Sequence, residues 1–232
     1  MITKFAVKNY RGFADRIEWD LSHPSSYSFN TFAIKDGIVK NGIIYGPNGS
    51  GKSNLALAVF DIILHLTQKA KNPHQFEAII NALHPNDFVS FEYTFRFETN
   101  IVDYYYSKSI DGIESEKVVL DGNVVFALDN NNLTIESLEF PMTEENKKQL
   151  ANSSNKVSVL GYLWSVYPFN SDHPLMKMKE FVEGMLLFWN HEERGFAGLD
   201  EGTTFIEEYI IANDLVDDFS DLLKTVSGQE CK

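Results

Sequence analysis

Nine consecutive residues, Gly46-Pro47-Asn48-Gly49-Ser50-Gly51-Lys52-Ser53-Asn54, constrain this chain more than any other stretch. They fit G-x-x-x-x-G-K-[ST] and lie between an apolar run and a long helical pattern, the setting of a phosphate-binding P-loop. Upstream, Asn41-Gly42-Ile43-Ile44-Tyr45 reads as the end of a short buried strand. Gly46, Gly49 and Gly51 permit positive φ and carry no Cβ, so successive amides can converge on an anion. Downstream, residues 53–66 contain neither Gly nor Pro and space Leu55, Val59, Ile62, Ile63 and Leu66 along a helical face. The helix therefore begins at the loop, and its open first-turn amides and positive dipole end face the same point. In such a loop Lys52 reaches the β- and γ-phosphates as a mobile charge and is the candidate catalytic group. The Ser53 hydroxyl is the candidate Mg²⁺ ligand, and Gly49 and Ser50 contribute mainly main-chain donors. The candidate nucleotide-binding set is thus Gly46, Pro47, Asn48, Gly49, Ser50, Gly51, Lys52, Ser53 and Asn54. A glycine-rich turn that binds nothing leaves the Lys-Ser pair at this register unexplained.

Length and composition narrow the setting. A chain of 232 residues suffices for one well-buried α/β domain, or for one domain with an embedded subdomain, and 18 Phe with 10 Tyr mark it as globular rather than disordered. No apolar run is long enough to span a bilayer, and the N-terminus lacks a basic-then-apolar secretory pattern, which points to the cytoplasm and to no membrane partner. The single Cys231 excludes an internal disulfide and a cysteine metal cluster. A formal charge of −13, with much of the acidic excess beyond Asp172, argues against a free-standing nucleic-acid binder, although a locally basic groove stays compatible with it.

Along the chain, Ile2 to Phe13 alternates with Phe5 and Val7 inward and Lys4 and Lys8 outward, and after the break at Gly12 the stretch Arg16 to Leu21 alternates again, together a β-hairpin. Ser22 to Ser28 is a connecting loop, Phe29 to Ile34 a short strand, and Asp36-Gly37 a turn. After the P-loop helix, Gln75 to Leu83 has helical spacing. Phe88 to Phe97, Tyr104 to Ile110, Glu116 to Leu120 and Val124 to Phe126, with a hairpin turn at Asp121-Gly122, make an antiparallel meander of four or five strands. Phe91, Tyr93, Phe95 and Phe97 share one strand face and read as packed core rather than as a base-stacking platform. A capped helix covers Thr143 to Ala151, and Pro174 to Trp189 carries helical spacing. Phe196-Ala197-Gly198-Leu199-Asp200-Glu201 imitates a Walker B strand, but its glycines and its surroundings favour a surface turn. Thr204 to Val226 reads as two helical segments split near Asn213-Asp214, with Asp217, Asp218 and Asp221 on a solvated face.

A strand ending in Lys8-Asn9-Tyr10-Arg11-Gly12-Phe13, followed some tens of residues later by the P-loop, resembles the N-terminal half of the SMC, RecF and OLD-like ABC ATPases. The meander, through Phe91-Glu92-Tyr93-Thr94-Phe95-Arg96-Phe97, Tyr104-Tyr105-Tyr106-Ser107 and Glu116-Lys117-Val118-Val119-Leu120, narrows the resemblance to bacterial AAA-type ATP-binding proteins associated with abortive infection and phage defence. The resemblance implies an α/β P-loop NTPase fold like an ABC-ATPase head. Residues 1–83 would form the P-loop core with its hairpin, 84–140 the antiparallel β-subdomain and 141–232 a helical lobe. It adds Asn9 and Arg11 as candidate nucleotide contacts, the alternative for Arg11 being an ordinary solvated turn residue. ATP and Mg²⁺ are the implied cofactors, and the absence of an Asn-Lys-x-Asp guanine reader agrees with ATP. Family members close as head-to-head dimers around nucleotide and act on an effector, often a nuclease.

The sequence departs from the family pattern in three respects. No glutamine lies near Ser154-Asn155-Lys156-Val157, where the metal-touching loop belongs. No signature motif precedes Phe196, and Walker B is expected further along than the chain runs. The expectation is therefore a head whose C-terminal half is missing, which binds Mg-ATP and hydrolyses it weakly or not at all. A non-hydrolysing, nucleotide-dependent assembly module is the second reading. A small-molecule kinase is a weaker third, since kinases place the P-loop after the first strand and lack the aromatic meander.

Overall fold

The computed structural model describes residues 1–26, 29–67, 79–153, 157–188, 196–197 and 210–227. The chain divides into two compact units, 1–199 and 200–232.

The first unit is mixed α/β and is built on one seven-stranded sheet in the order β2-β1-β5-β6-β7-β8-β9. Strand β1 (Ile2–Lys8) pairs antiparallel with β2 (Ile17–Asp20) on one side and with β5 (Val89–Phe97) on the other. From β5 the sheet continues through β6 (Asn100–Ser109), β7 (Gly112–Leu120), β8 (Asn123–Asp129) and β9 (Asn132–Ile135), every pair antiparallel. The expected hairpin and meander are thus five consecutive meander strands joined to the hairpin in a single sheet. Two of the connections are two-residue turns with both residues at positive φ, Asp121-Gly122 (49° and 81°) and Asn130-Asn131 (46° and 62°). That backbone matches the twist of the flanking strands, and Asp, Asn and Gly are the residues that tolerate it.

One face of the sheet is apolar. Phe5, Val7, Phe91, Tyr93, Phe95, Val102, Tyr104, Tyr106, Val118, Phe126 and Leu128 alternate into the core and are almost fully buried. The aromatic strand face is therefore core, with Phe91 stacked on Tyr106 at 4.7 Å and Phe95 edge-on to Phe181 at 5.7 Å. The opposite face is polar: Arg16 bridges Glu92 (2.8 Å) and Glu18 (2.7 Å), and Thr94 donates to Asp103.

Helices α1 (Lys52–Thr67), α2 (Glu144–Ser153), α3 (Val159–Val166) and α4 (Pro174–Glu183) complete the unit. Helix α1 packs with α3 and α4, and α4 lies on β5 and β6. The α3 approach to α1 is so close that a Cβ on Gly161 would fall 2.8 Å from the Leu66 carbonyl oxygen. Thr143 Oγ1 accepts from Asn146 N at the start of α2, as its sequence predicts. Ser158 caps α3 beside a fully buried carboxylate: Glu116 accepts from Tyr104 Oη (2.8 Å), Ser158 Oγ (2.7 Å), Val159 N (2.7 Å) and Leu160 N (3.0 Å). Burial pushes the Glu116 pKa up, and these four donors act against that shift.

Four expectations are corrected. Asn41 to Tyr45 is neither a strand nor buried. Ile43 and Tyr45 are each 91% exposed, and among the described residues no strand pairs with them. Apolar β-prone composition makes a buried strand only when a neighbour supplies hydrogen bonds and cover. Second, Thr31–Ala33 is a 3-10 turn entered through Asn30 at φ 56°. Only Ile34 of that segment reaches a strand, β3 (Ile34–Lys35), which pairs with β4 (Ile38–Val39) around Asp36-Gly37. Third, Ile79 to Leu83 is not helical. Ile80 bridges Tyr10, and the Asn81 side chain accepts from Leu83 N, a local bond that competes with helix; the remainder of that segment lies outside the described residues. Fourth, α4 stops at Glu183 because Gly184 caps it, and Leu187–Phe188 (β10) pairs antiparallel with Phe196–Ala197 (β11).

The second unit, taken by itself, shows α5 (Val216–Ser227) after a break at Asp214 (φ 56°), as the sequence predicts. Asp217, Asp218 and Asp221 are exposed on it. No helix among the described residues is long and apolar enough to cross a membrane.

On α1, His65 is fully buried, stacked on Tyr106 (3.8 Å between centroids, 4° between planes) and close to Tyr104, with the Lys108–Asp61 ion pair alongside. Burial, reinforced by the Lys108 charge, holds its pKa well below the ordinary histidine value. The unfolded chain therefore binds a proton that the folded chain refuses, so this stability is present above the unfolded value and lost as pH falls through it. Urea unfolding of the wild type should lose stability below about pH 6.5, approaching about 1.4 kcal/mol per pH unit from this group, and His65→Phe should flatten that slope.

Candidate functional site

The glycine-rich segment makes the junction between an extended strand-free lead-in and helix α1. Ser50 N donates to Pro47 O (3.3 Å), which folds residues 47–50 into a turn. Gly49 and Gly51 sit at φ 81° and 93°, a region closed to most side chains. Helix α1 begins at Lys52, and Leu55 N donates to Gly51 O (2.9 Å) to close its first turn. Among the described residues no carbonyl accepts from the amides of Lys52, Ser53 and Asn54, the orphan donors of a helix start. A pocket of about 410 Å³ opens over these groups, lined by Asn48, Gly49, Ser50, Gly51, Lys52, Ser53 and Asn54.

Lys52 bends back over the loop, its ammonium donating to the carbonyls of Gly46 and Pro47, both at 2.8 Å. A Cβ on Gly46 would lie 3.0 Å from Ser50 Oγ, so a side chain there would have to displace that hydroxyl. The Ser53 side chain is exposed at the pocket. The pocket therefore presents backbone donors, one ammonium, small hydroxyls and two Asn side chains, and among the described residues no carboxylate lines it. This donor set fits a phosphate chain: the glycine cradle lets backbone approach closely, the helix dipole favours negative charge, and Ser53 supplies a hard oxygen for a divalent cation.

Asn9 and Arg11 lie in the turn that follows β1. Asn9 (φ 59°) is 2% exposed, and its Nδ2 donates to the carbonyls of His84 (3.2 Å) and Phe88 (3.4 Å). Arg11 (φ 45°) is half-buried, with its N donating to Ile79 O at 2.7 Å and its guanidinium 5.7 Å from the Tyr10 ring. Neither lines the pocket. Their turn does reach the loop, through two neighbours that sequence reasoning did not assign to the site. A Cβ on Gly12 would lie 3.3 Å from Asn54 Nδ2, and one on Gly51 would lie 2.8 Å from Phe13 Cε1. The only sequence signal for these contacts is that Gly12-Phe13 ends the same string as Asn9 and Arg11.

Asp200-Glu201 lies outside the described residues, so the Walker B imitation is represented only by the two residues of β11. Among the described residues no group of three or more His, Cys, Asp or Glu side chains is gathered for a metal.

The site is thus a pocket lined by backbone donors and a lysine at a loop-to-helix junction, carried on a mixed α/β unit. No protein-family model matches the chain, and no curated protein sequence is similar enough to it to count as a relative.

Two glycine substitutions separate the loop's requirements. Gly49 has nothing within 4 Å of a Cβ position, so Gly49→Ala carries only left-handed backbone strain, about 1–2 kcal/mol. Gly51→Ala adds a collision with the Phe13 ring, and urea unfolding should show it to be the more destabilised of the two.

Proposed function

We propose that this chain is the Mg-ATP-binding head of an ABC-type ATPase whose nucleotide-driven closure acts on a phage-defence or DNA-maintenance effector. One observation carries the reading: at the Gly46–Lys52 junction, open helix amides, a side-chain-free backbone and a folded-back ammonium converge on one pocket. When a triphosphate enters, the Lys52 ammonium exchanges two neutral carbonyl acceptors for anionic phosphate oxygens, and such charge-assisted bonds are roughly twice as strong as neutral ones. The amides of Lys52, Ser53 and Asn54 then gain the acceptors they lack. Ser53 would hold Mg²⁺, which when bound would offset the negative charge of the phosphates.

The partners follow from the same reading. A second head would close face to face over the nucleotide, and an effector such as a nuclease would respond to that closure in the cytoplasm. DNA contact draws no support from the charge of −13. Turnover needs a group that polarises the attacking water, and among the described residues no carboxylate lines the pocket. The second reading, in which nucleotide acts as an assembly ligand without being hydrolysed, follows from the sequence, where no signature motif precedes Phe196.

Titration with Mg-ATP, together with phosphate release, separates the readings. The wild type should bind saturably, and Lys52→Ala should weaken binding by roughly tenfold or more, or about 1.4 kcal/mol. Phosphate release above the Lys52→Ala baseline selects the ATPase, and binding without release selects the assembly module. Equal affinity in the two proteins removes both.

A further inference from the structure

We infer that Phe13 is a positioning residue for the phosphate loop: its ring occupies the space a side chain would take at residue 51 and so sets the direction of the Gly51 and Lys52 amides. The inference rests on the nucleotide-binding reading of the loop and adds to it a residue from outside the motif. The three atoms nearest a Cβ on Gly51 all belong to this ring, at 2.8, 2.9 and 3.9 Å. Gly51 therefore does more than permit φ 93°. Its missing side chain is replaced by an aromatic wall contributed by another element.

That wall is held from behind. Phe13 and Tyr10 exchange backbone hydrogen bonds, Tyr10 N to Phe13 O at 2.8 Å and Phe13 N to Tyr10 O at 2.7 Å, which closes the turn on which the ring is mounted. Tyr10 is fully buried, edge-on to Phe91 at 5.7 Å. Arg11 N donates to Ile79 O (2.7 Å), Asn81 N to Asn9 O (3.1 Å), and Asn81 Nδ2 to the Arg11 carbonyl, so the turn is laced to residues 79–81. The Gly12–Asn54 approach gives it a second foothold, on the first turn of α1. The ring is thus fixed relative to the sheet, and the loop rests on the ring.

Glycine by itself samples both signs of φ almost equally, so the residue type alone does not hold Gly51 at its observed angle. Removing the ring releases the peptide on each side of Gly51, and a bound phosphate would have to re-order it. Phe13 is half-buried at the margin of the core, so its effect on the loop is separable from its effect on folding.

The test is a graded series, Phe13→Tyr, Phe13→Leu and Phe13→Ala, in the full chain. It is read by Mg-ATP affinity, by the urea midpoint and by the amide resonances of Gly51 and Lys52 in the nucleotide-free protein. Phe13→Ala should weaken Mg-ATP by roughly tenfold, or about 1.4 kcal/mol. The Gly51 and Lys52 resonances should move, and Phe13→Leu, which keeps some bulk against Gly51 but not the ring, should fall clearly between Phe13→Ala and the wild type in affinity. Where Phe13→Ala does not fold, the order Tyr above Leu decides in its place. Wild-type affinity in the reduced side chains, or unmoved Gly51 and Lys52 resonances, overturns the inference. Absence of Mg-ATP binding by the wild type overturns the nucleotide reading instead, and the resonances of the free protein still decide whether Phe13 sets the loop.

Discussion

The site depends first on where helix α1 is pinned, because the loop amides point wherever that helix points. Of its 16 residues only Ser53 is exposed, so α1 lacks the polar stripe that would orient a surface helix. Apolar packing is non-directional and leaves sliding and rotation only loosely resisted. Polar contacts inside the apolar layer supply the missing direction. Tyr93 Oη donates to the carbonyls of Ala58 (3.0 Å) and Val59 (3.3 Å), and Asp61 accepts from Tyr106 Oη (2.8 Å) and Lys108 Nζ (2.6 Å). Burying the Asp61 charge costs several kcal/mol unless it is paired, and here two donors from β6 compensate it at one geometry only.

The same arrangement recurs at α3. Glu116 on β7 takes the place of solvent at the first turn of that helix, receiving two of its amides and the hydroxyls of Ser158 and Tyr104. A carboxylate is favourable at a helix N-terminus, where the dipole is positive. The meander therefore anchors two helices through buried acid and tyrosine groups, while stacked aromatics fill the space between. Its solvent face carries an ordinary lattice of ion pairs that contributes little to stability.

A chain of contacts thus runs from the sheet to the phosphate loop by two routes. One passes through Asp61 and Tyr93 into the body of α1. The other passes through β1, the Tyr10–Phe13 turn and the Phe13 ring to Gly51. The loop is clamped between a helix whose position is set from below and a turn that meets it from the side. Lys52, held only by two loop carbonyls, can move without disturbing either route.

How much of this was legible beforehand follows the range of the physics involved. Helix α1, the capped start of α2, the alternation of β1 and β5, the Asp121-Gly122 turn and the break near Asp214 are governed by residues close in sequence, and all could be read from the chain. The glycine-lysine-serine spacing of the loop is equally local, because φ preference, helix start and side-chain reach act within a few residues. Tertiary structure alone decided that Ile43 to Tyr45 pairs with no strand among the described residues, since a strand exists only beside another strand. It likewise decided that Ile79 to Asn81 runs along the Tyr10 turn, that Asp61 and Glu116 are interior, and that Phe13 stands where Gly51 has no side chain. Each of these turns on which distant segment comes to lie alongside, and one-dimensional periodicity carries no record of that neighbour.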